Sequence, residues 1–289
     1  MSISEPLDKT TFETKFIEDG YIVIRNAVDP LLIKKIQSLT IETLCQQILS
    51  LNNSQNGNLY EQFCNVISSL TADNQPYKVL KPVWEAFMYH KIPQAIFSSQ
   101  IIFETLTMIL GKDLCFQDDP SLTLNIPEKT SSKKNYLFKE YHQEIWSGAS
   151  IDTIQFFMPI FQTAPQGGIS FIKGSHLWGH IPHRDRKPVE IPSTFEALDS
   201  DLQLGDVMLF HSMLLHKTTP LLPSHNFRLA LPCLIRNFRM PNNAFENYRS
   251  WKVFSYSAQT TIHRKLGNHY LSPFRLIGLP NQSQIDSLS

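Results

Sequence analysis

The triplet His142-Gln143-Glu144 places two metal-binding side chains two positions apart. His216 follows 72 positions after Glu144, and Arg228 lies 12 residues beyond it. Two imidazoles and one carboxylate can occupy one face of a divalent ion and leave its other positions open, the ligand set of non-haem Fe(II) oxygenases. On an extended strand, residues i and i+2 point to the same face with Cα atoms roughly 7 Å apart, so His142 and Glu144 can converge on one ion. A surface His and Glu at a strand end would give the same triplet. The weight therefore falls on what the rest of the chain supplies.

Gly205-Asp206 followed by Val207-Met208-Leu209-Phe210 reads as a turn and a strand, with His211 and His216 after it. Either histidine is a candidate third ligand. His211 also fits an ordinary strand-end side chain. His216 is favoured because it precedes the Thr218-Thr219-Pro220 turn and leads toward Arg228. Arg228 opens the apolar run Leu229–Ile235, where a guanidinium is costly unless it meets an anion. Its planar fork suits a carboxylate, from a bound dicarboxylate or from one of the chain's own acids.

These residues need a scaffold. The first 111 residues are mainly helical, with one early strand at Tyr21–Ile24. A short helix over Thr11–Ile17 ends at Asp19-Gly20. Asp29 caps a second helix with Pro30 at its first position. Further helices are predicted over Leu59–Leu70, Val83–Tyr89 and about Pro93–Leu110, the last stopping at Gly111. Asn52–Asn58 reads as a loop. From residue 112 to 240, β-rich runs appear at Leu114–Gln117, Leu122–Ile126, Ile154–Phe161, Ile169–Ile172, Val207–Phe210 and Leu229–Ile235. Short strands divided by Pro and Gly turns indicate a sandwich or barrel. Residues 241–289 form a mixed C-terminal extension whose last ten residues are expected to fray. The whole, 1–289, reads as one domain, an α+β chain with a mainly β core.

Composition narrows the function. Formal net charge is +0 and charged residues are 18%, which points to neither nucleic acid nor an anionic membrane. No apolar run reaches bilayer length, and Met1–Thr14 has no signal-like core. Cys45, Cys64, Cys115 and Cys233 are scattered without a C-x-x-C pair, as expected of reduced cysteines in a cytoplasmic protein.

In order along the chain, these motifs resemble the phytanoyl-CoA dioxygenase family over roughly Phe12 to Ile235. Phe16-x-x-x-Gly20-Tyr21-Ile22-Val23-Ile24 resembles its opening strand, and His142-Gln143-Glu144 its His-Gln-acid motif. Gln166-Gly167-Gly168 through Lys173-Gly174-Ser175-His176 resembles its glycine-rich segment ending in Gly-Ser-His. Glu144 stands where Asp is commoner, Lys173 where proline is usual, and the asparagine common after the second histidine is missing. The resemblance implies a double-stranded β-helix, a jelly-roll or cupin-like barrel, flanked by N-terminal helices. It implies an Fe(II)- and 2-oxoglutarate-dependent dioxygenase that uses O2 to hydroxylate a small molecule at an aliphatic C–H, releasing succinate and CO2. His142, Glu144 and His216 would hold the metal, and Arg228, Thr218 and Asn125 the cosubstrate. Because Glu144 fills the position that halogenases of this class vacate, halogenation is disfavoured.

Other residues carry weaker expectations. Trp146 and His176 could line the substrate pocket, and core packing or a solvated loop would also explain them. His176, His180, His183, Arg184 and Arg186 form a basic stretch that could meet an anionic substrate. Lys129–Lys134 reads as a lid or a plain surface loop. Two rival readings are a non-oxygenase metal enzyme or binding module on a cupin-like barrel, which leaves Arg228 idle, and a non-catalytic relative acting as a binding protein.

Overall fold

In the strand Thr153–Phe161 every residue is buried, so both of its faces are covered. Its even positions, Ile154, Phe156, Met158 and Ile160, join one apolar cluster, while Phe157 joins another. That alternation, with a period of two, organises the molecule. The computed structural model describes residues 2–3, 9–47, 57–73, 76–119, 122–126, 140–162, 168–219, 221, 227–241 and 250–265.

The described elements run β1 (Ser2–Ile3), α1 (Lys9–Asp19), β2 (Tyr21–Ile24), α2 (Pro30–Cys45), α3 (Leu59–Asp73), α4 (Pro76–Tyr89), α5 (Ile92–Phe97), α6 (Gln100–Leu110), β3 (Leu114–Gln117) and β4 (Thr123–Asn125). After them come β5 (Thr153–Phe161), β6 (Ile169–Ile172), β7 (His183–Arg184), β8 (Lys187–Pro188), β9 (Ala197–Asp199), β10 (Val207–His211), β11 (His216–Thr218), β12 (Arg228–Asn237), β13 (Trp251–Ser255) and α7 (Ala258–Lys265). An eight-stranded sheet is ordered β1-β2-β10-β5-β12-β3-β13, with β4 paired beside β12. A three-stranded sheet, β11-β6-β9, faces it, and β7-β8 form a separate hairpin.

The helices cover one face of the large sheet. Ile22, Ile24, Val207, Leu209, Leu229 and Leu231 point into that layer together with Ile33, Ile36, Phe63 and Phe97. Phe63 stacks on Phe161 with ring centroids 4.2 Å apart, and Phe97 meets Phe156 edge-on at 5.1 Å. The opposite face meets the small sheet, where Tyr21, Val23, Met208, Phe210 and Ala230 pack with Ile169 and Phe171. Tyr21 and Phe171 lie 4.3 Å apart across this gap. The two facing, mainly antiparallel sheets, flanked by helices, are the double-stranded β-helix architecture that the sequence resemblance implied.

Asp29 caps α2 as expected, accepting a hydrogen bond from the Leu31 amide at 2.6 Å. The single helix expected over Pro93–Leu110 is two helices, α5 and α6, broken at Ser98-Ser99. Ser99 Oγ donates to the Ala27 carbonyl at 2.8 Å, a tie that competes with helix continuation. The strands β7, β8, β9 and β13 were not anticipated; they are short, with β7–β9 mostly exposed and β13 half-buried, so they carry little apolar pattern. Residues 52–56 of the expected loop Asn52–Asn58, the expected lid at 129–134 and the last ten residues, expected to fray, lie outside the described residues. Among the described residues, no helix is long and apolar enough to cross a membrane.

Candidate metal and cosubstrate site

His142 and His216 stand side by side because their backbones pair. His142 N donates to the His216 carbonyl at 2.9 Å, and His216 N returns a bond to the His142 carbonyl at 3.1 Å. The rings lie 4.2 Å apart. Glu144 Oε1 is 3.3 Å from His216 Nε2 and 3.9 Å from His142 Nε2. One ligand atom from each of the three residues falls within 4.8 Å of the others.

Glu144 does not reach this point along a continuous strand, as the i, i+2 argument assumed. Gln143 is extended, and Glu144 then opens a single 3-10 turn, Glu144–Ser147, that ends at Gly148 with φ 87. The triplet is pinned by other means. Glu144 N donates to the Ser212 carbonyl at 2.9 Å. The fully buried Gln143 amide donates to the carbonyls of Gly179 (2.9 Å) and Met213 (2.7 Å), and it accepts from Ile181 N at 3.0 Å. The middle residue of the motif is therefore a three-point staple whose side chain is turned away from the ligand set.

Each imidazole is oriented by a backbone carbonyl two residues earlier. His142 Nδ1 lies 3.0 Å from the Glu140 carbonyl, and His216 Nδ1 lies 2.9 Å from that of Leu214. A carbonyl only accepts, so both Nδ1 atoms carry the proton and both Nε2 atoms present a lone pair. Burial, and then the neighbouring His216, push the His142 pKa down to about 4, which keeps this ring neutral. Two lone pairs and a carboxylate oxygen thus converge on one space. Three acceptors facing one another are relieved by a cation, and the donor set of two imidazoles and one carboxylate suits a ferrous ion.

A second charged feature lies further along the fold. Arg228 is only 2% exposed, pairs with Asn125 across β12 and β4, and holds its guanidinium carbon 5.0 Å above the centre of the Phe157 ring. Burial alone lowers its pKa to about 9, so it remains a cation at neutral pH. Asn125 is buried as well, and its Nδ2 donates to the Thr219 carbonyl at 3.4 Å. Thr218 sits on β11 opposite Ile169, two residues after His216. One cavity of about 280 Å³ is lined by His142, Glu144, His216 and Thr218 together with Phe157, the ring beneath Arg228.

The other sequence candidates fall elsewhere. His211 ends β10 with its Nδ1 accepting from Met213 N at 3.1 Å, and it neighbours His176 at 5.5 Å, not Glu144. His176 Nε2 donates to the Ile17 carbonyl at 2.9 Å, and a Cβ at Gly20 (φ 79) would collide with its ring. Ser175 accepts from Leu215 N at 2.8 Å and donates to the Ile172 carbonyl at 2.7 Å. The Gly-Ser-His segment is thus a clasp that fixes the residue before His216 and ties it to the start of β2. Trp146 stacks on His183 at 4.7 Å and packs beside the Ile172–Ile181–Leu215 cluster, outside the cavity lining. Of the basic stretch, Arg186 alone lines the cavity. The sequence reading passed over Gln155, Phe157, Phe210 and Leu234, which also line it. Their signal was the strand alternation itself: each belongs to the set that faces away from the helices.

Solved structures share this fold. The solved structure of the non-haem monooxygenase ThoJ superposes with a TM-score of 0.53 at 16% identity, covering 96% of this chain and 98% of its own. The epimerase SnoN, solved in complex with Fe3+, alpha ketoglutarate and nogalamycin RO, gives a TM-score of 0.50 at 13% identity, covering 82% of this chain and 88% of its own. These share the fold. A curated relative, 1-deoxypentalenic acid 11-beta-hydroxylase from Streptomyces arenae, is 21% identical over 227 residues, 74% of this chain and 75% of that protein. The family model for phytanoyl-CoA dioxygenase matches residues 16–228, from the end of α1 to the arginine that opens β12, and this chain belongs to that family.

Proposed function

We propose that this protein is an Fe(II)- and 2-oxoglutarate-dependent dioxygenase that hydroxylates an aliphatic C–H of a small molecule. The observation that carries the reading is the pairing of two features: a His-His-Glu acceptor set, and a buried guanidinium stacked on a wall of the cavity that the set lines. A metal-binding module without a cosubstrate would account for the first but would make no use of Arg228. The family membership and the hydroxylase relative support the same class, and that relative is named for an acid substrate.

His142, Glu144 and His216 would hold the ferrous ion. When bound with 2-oxoglutarate, the iron supplies oxidative decarboxylation to succinate and CO2, coupled to hydroxylation of the substrate. The protein does the rest. The Glu140 and Leu214 carbonyls keep both Nδ1 protons in place, so neither Nε2 is protonated against the metal. Arg228 offers a fork to the far carboxylate of the cosubstrate, and Thr218 adds a hydroxyl. Phe157, Phe210 and Ile169 keep water from the reacting space. Glu144 retains the coordination position whose loss would open the way to halogenation. The four cysteines are free, in keeping with a cytoplasmic protein, and the match over 16–228 spans helices and both sheets, in keeping with one oxygenase domain.

The test is anaerobic titration of the metal-free protein with Fe(II) and then 2-oxoglutarate. The expected result is a visible charge-transfer absorption that appears only with both, followed by succinate release once oxygen is admitted. Absence of that absorption in folded protein would overturn the reading.

A further inference from the structure

Past the metal ligands, the cavity lining includes one buried amide and one cation that the chemistry above does not use. Gln155, on β5, is 5% exposed. Its Nε2 makes a long 3.4 Å bond to the neighbouring Phe156 carbonyl, and among the described residues no donor reaches its Oε1. Burying an amide oxygen without a partner is costly, so such a group calls for a ligand. It pairs across the sheet with Phe210 and Leu234, both cavity residues, which fixes its side chain on the cavity face.

Arg186 is the second group. It sits with Asp185 at the tip of the β7–β8 hairpin, both in left-handed conformation (φ 59 and φ 52), the backbone of a two-residue turn that matches strand twist. The hairpin is held over the site by the Trp146–His183 stack and by Lys187 Nζ, 3.4 Å from Glu140 Oε1. Arg186 is exposed yet lines the cavity. With Glu144 committed to the metal, Arg186 is the one remaining charged side chain among the described lining residues. Phe157, Ile169, Phe210, Pro232 and Leu234 form the apolar part of the wall, and Gln117, Thr123, Ser147 and Thr218 add uncharged polar groups.

We propose that this cavity selects a small acid that carries a hydroxyl, with Arg186 receiving the carboxylate at the mouth and Gln155 Oε1 accepting the hydroxyl proton inside. A single cation suits a monoanion better than a phosphate dianion. The proposal rests on the iron and 2-oxoglutarate reading, and the experiment separates the two.

The protein is loaded anaerobically with Fe(II) and saturating 2-oxoglutarate, so that Arg228 is already engaged. It is then titrated with alicyclic hydroxy acids, each beside its methyl ester, its deoxy analogue and the phosphate monoester of the same skeleton. Binding is read by calorimetry and by the shift of the visible absorption. Wild type should prefer an acid over its ester, and over its deoxy analogue, by about tenfold each, the size of one hydrogen bond. Arg186→Gln should erase the acid–ester preference and keep the hydroxyl preference. Gln155→Leu should do the reverse, and Gln155→Glu, which keeps the volume, should weaken acids more than esters. Equal binding of acids and esters by wild type, survival of either preference in its variant, tighter binding of the phosphate esters, or no shift with any acid would each overturn the proposal while the absorption persists. Failure of the absorption to form in wild type would sink the underlying reading and this proposal with it.

Discussion

The two faces of the large sheet are built from the same strands and do opposite work. On β5, Phe156 turns to the helices and is fully buried against Phe97, whereas Gln155 and Phe157 turn to the cavity. On β12, Leu229 and Leu231 feed the helical layer, while Pro232 and Leu234 line the cavity and Arg228 stacks on a cavity wall. The helix face is apolar throughout. The cavity face tolerates a buried arginine, a buried amide and two buried histidines, each costly unless it meets a partner. Stability is concentrated on one side and chemistry on the other, one residue apart along the chain.

That contrast can be broken most forcefully at the metal. His142→Ala and His216→Ala should each abolish iron-dependent turnover, exceeding the roughly 100-fold that loss of a supporting partner costs, while circular dichroism shows an intact fold. Activity retained in His216→Ala and lost in His211→Ala would reassign the third ligand. Arg228→Ala should raise the 2-oxoglutarate dissociation constant by roughly 30-fold or more, with Arg228→Lys in between, as measured by calorimetry on the iron-loaded protein. Unchanged affinity would remove that role from Arg228. On the helix face, Phe156→Ala should cost about 3–5 kcal/mol in denaturant unfolding yet leave the visible absorption of the remaining folded protein intact. A Phe156 variant that unfolds no more easily than wild type would end the division of labour.

The smallest effect concerns acid. Burial, and then the neighbouring His176, lower the His211 pKa from 6.5 to about 4. Between those values the unfolded chain takes up a proton that the folded chain refuses, so stability falls as pH drops from about 6.5 toward 4. His211→Asn should flatten that slope in metal-free protein. An unaltered pH dependence would show that His211 titrates alike in both states.

Much of this was legible in the chain. The runs Ile154–Phe161 and Leu229–Ile235 announced strands because both of their faces are covered, and Asp29-Pro30 announced a helix start because cap chemistry is local. His142, Glu144 and His216 were named as ligands from type and order. Their encounter was not legible as drawn: Glu144 arrives on a 3-10 turn stapled by Gln143, and that staple depends on the Gly179, Ile181 and Met213 backbones. The break at Ser98-Ser99 was hidden for a similar reason, since its cause is a bond to Ala27, 72 residues away.

The sequence by itself determined what kinds of groups this protein owns: two histidines and an acid for a metal, an arginine opening an apolar strand, and β runs to carry them. Composition and local periodicity suffice for that, because they act over a few residues. Tertiary structure alone decided how near His216 stands to the acid, that His176 ties down the end of α1 outside the cavity, and that Gln155 and Arg186 line that cavity. Those outcomes depend on pairings between segments many residues apart, and no local pattern encodes where a distant backbone carbonyl will stand.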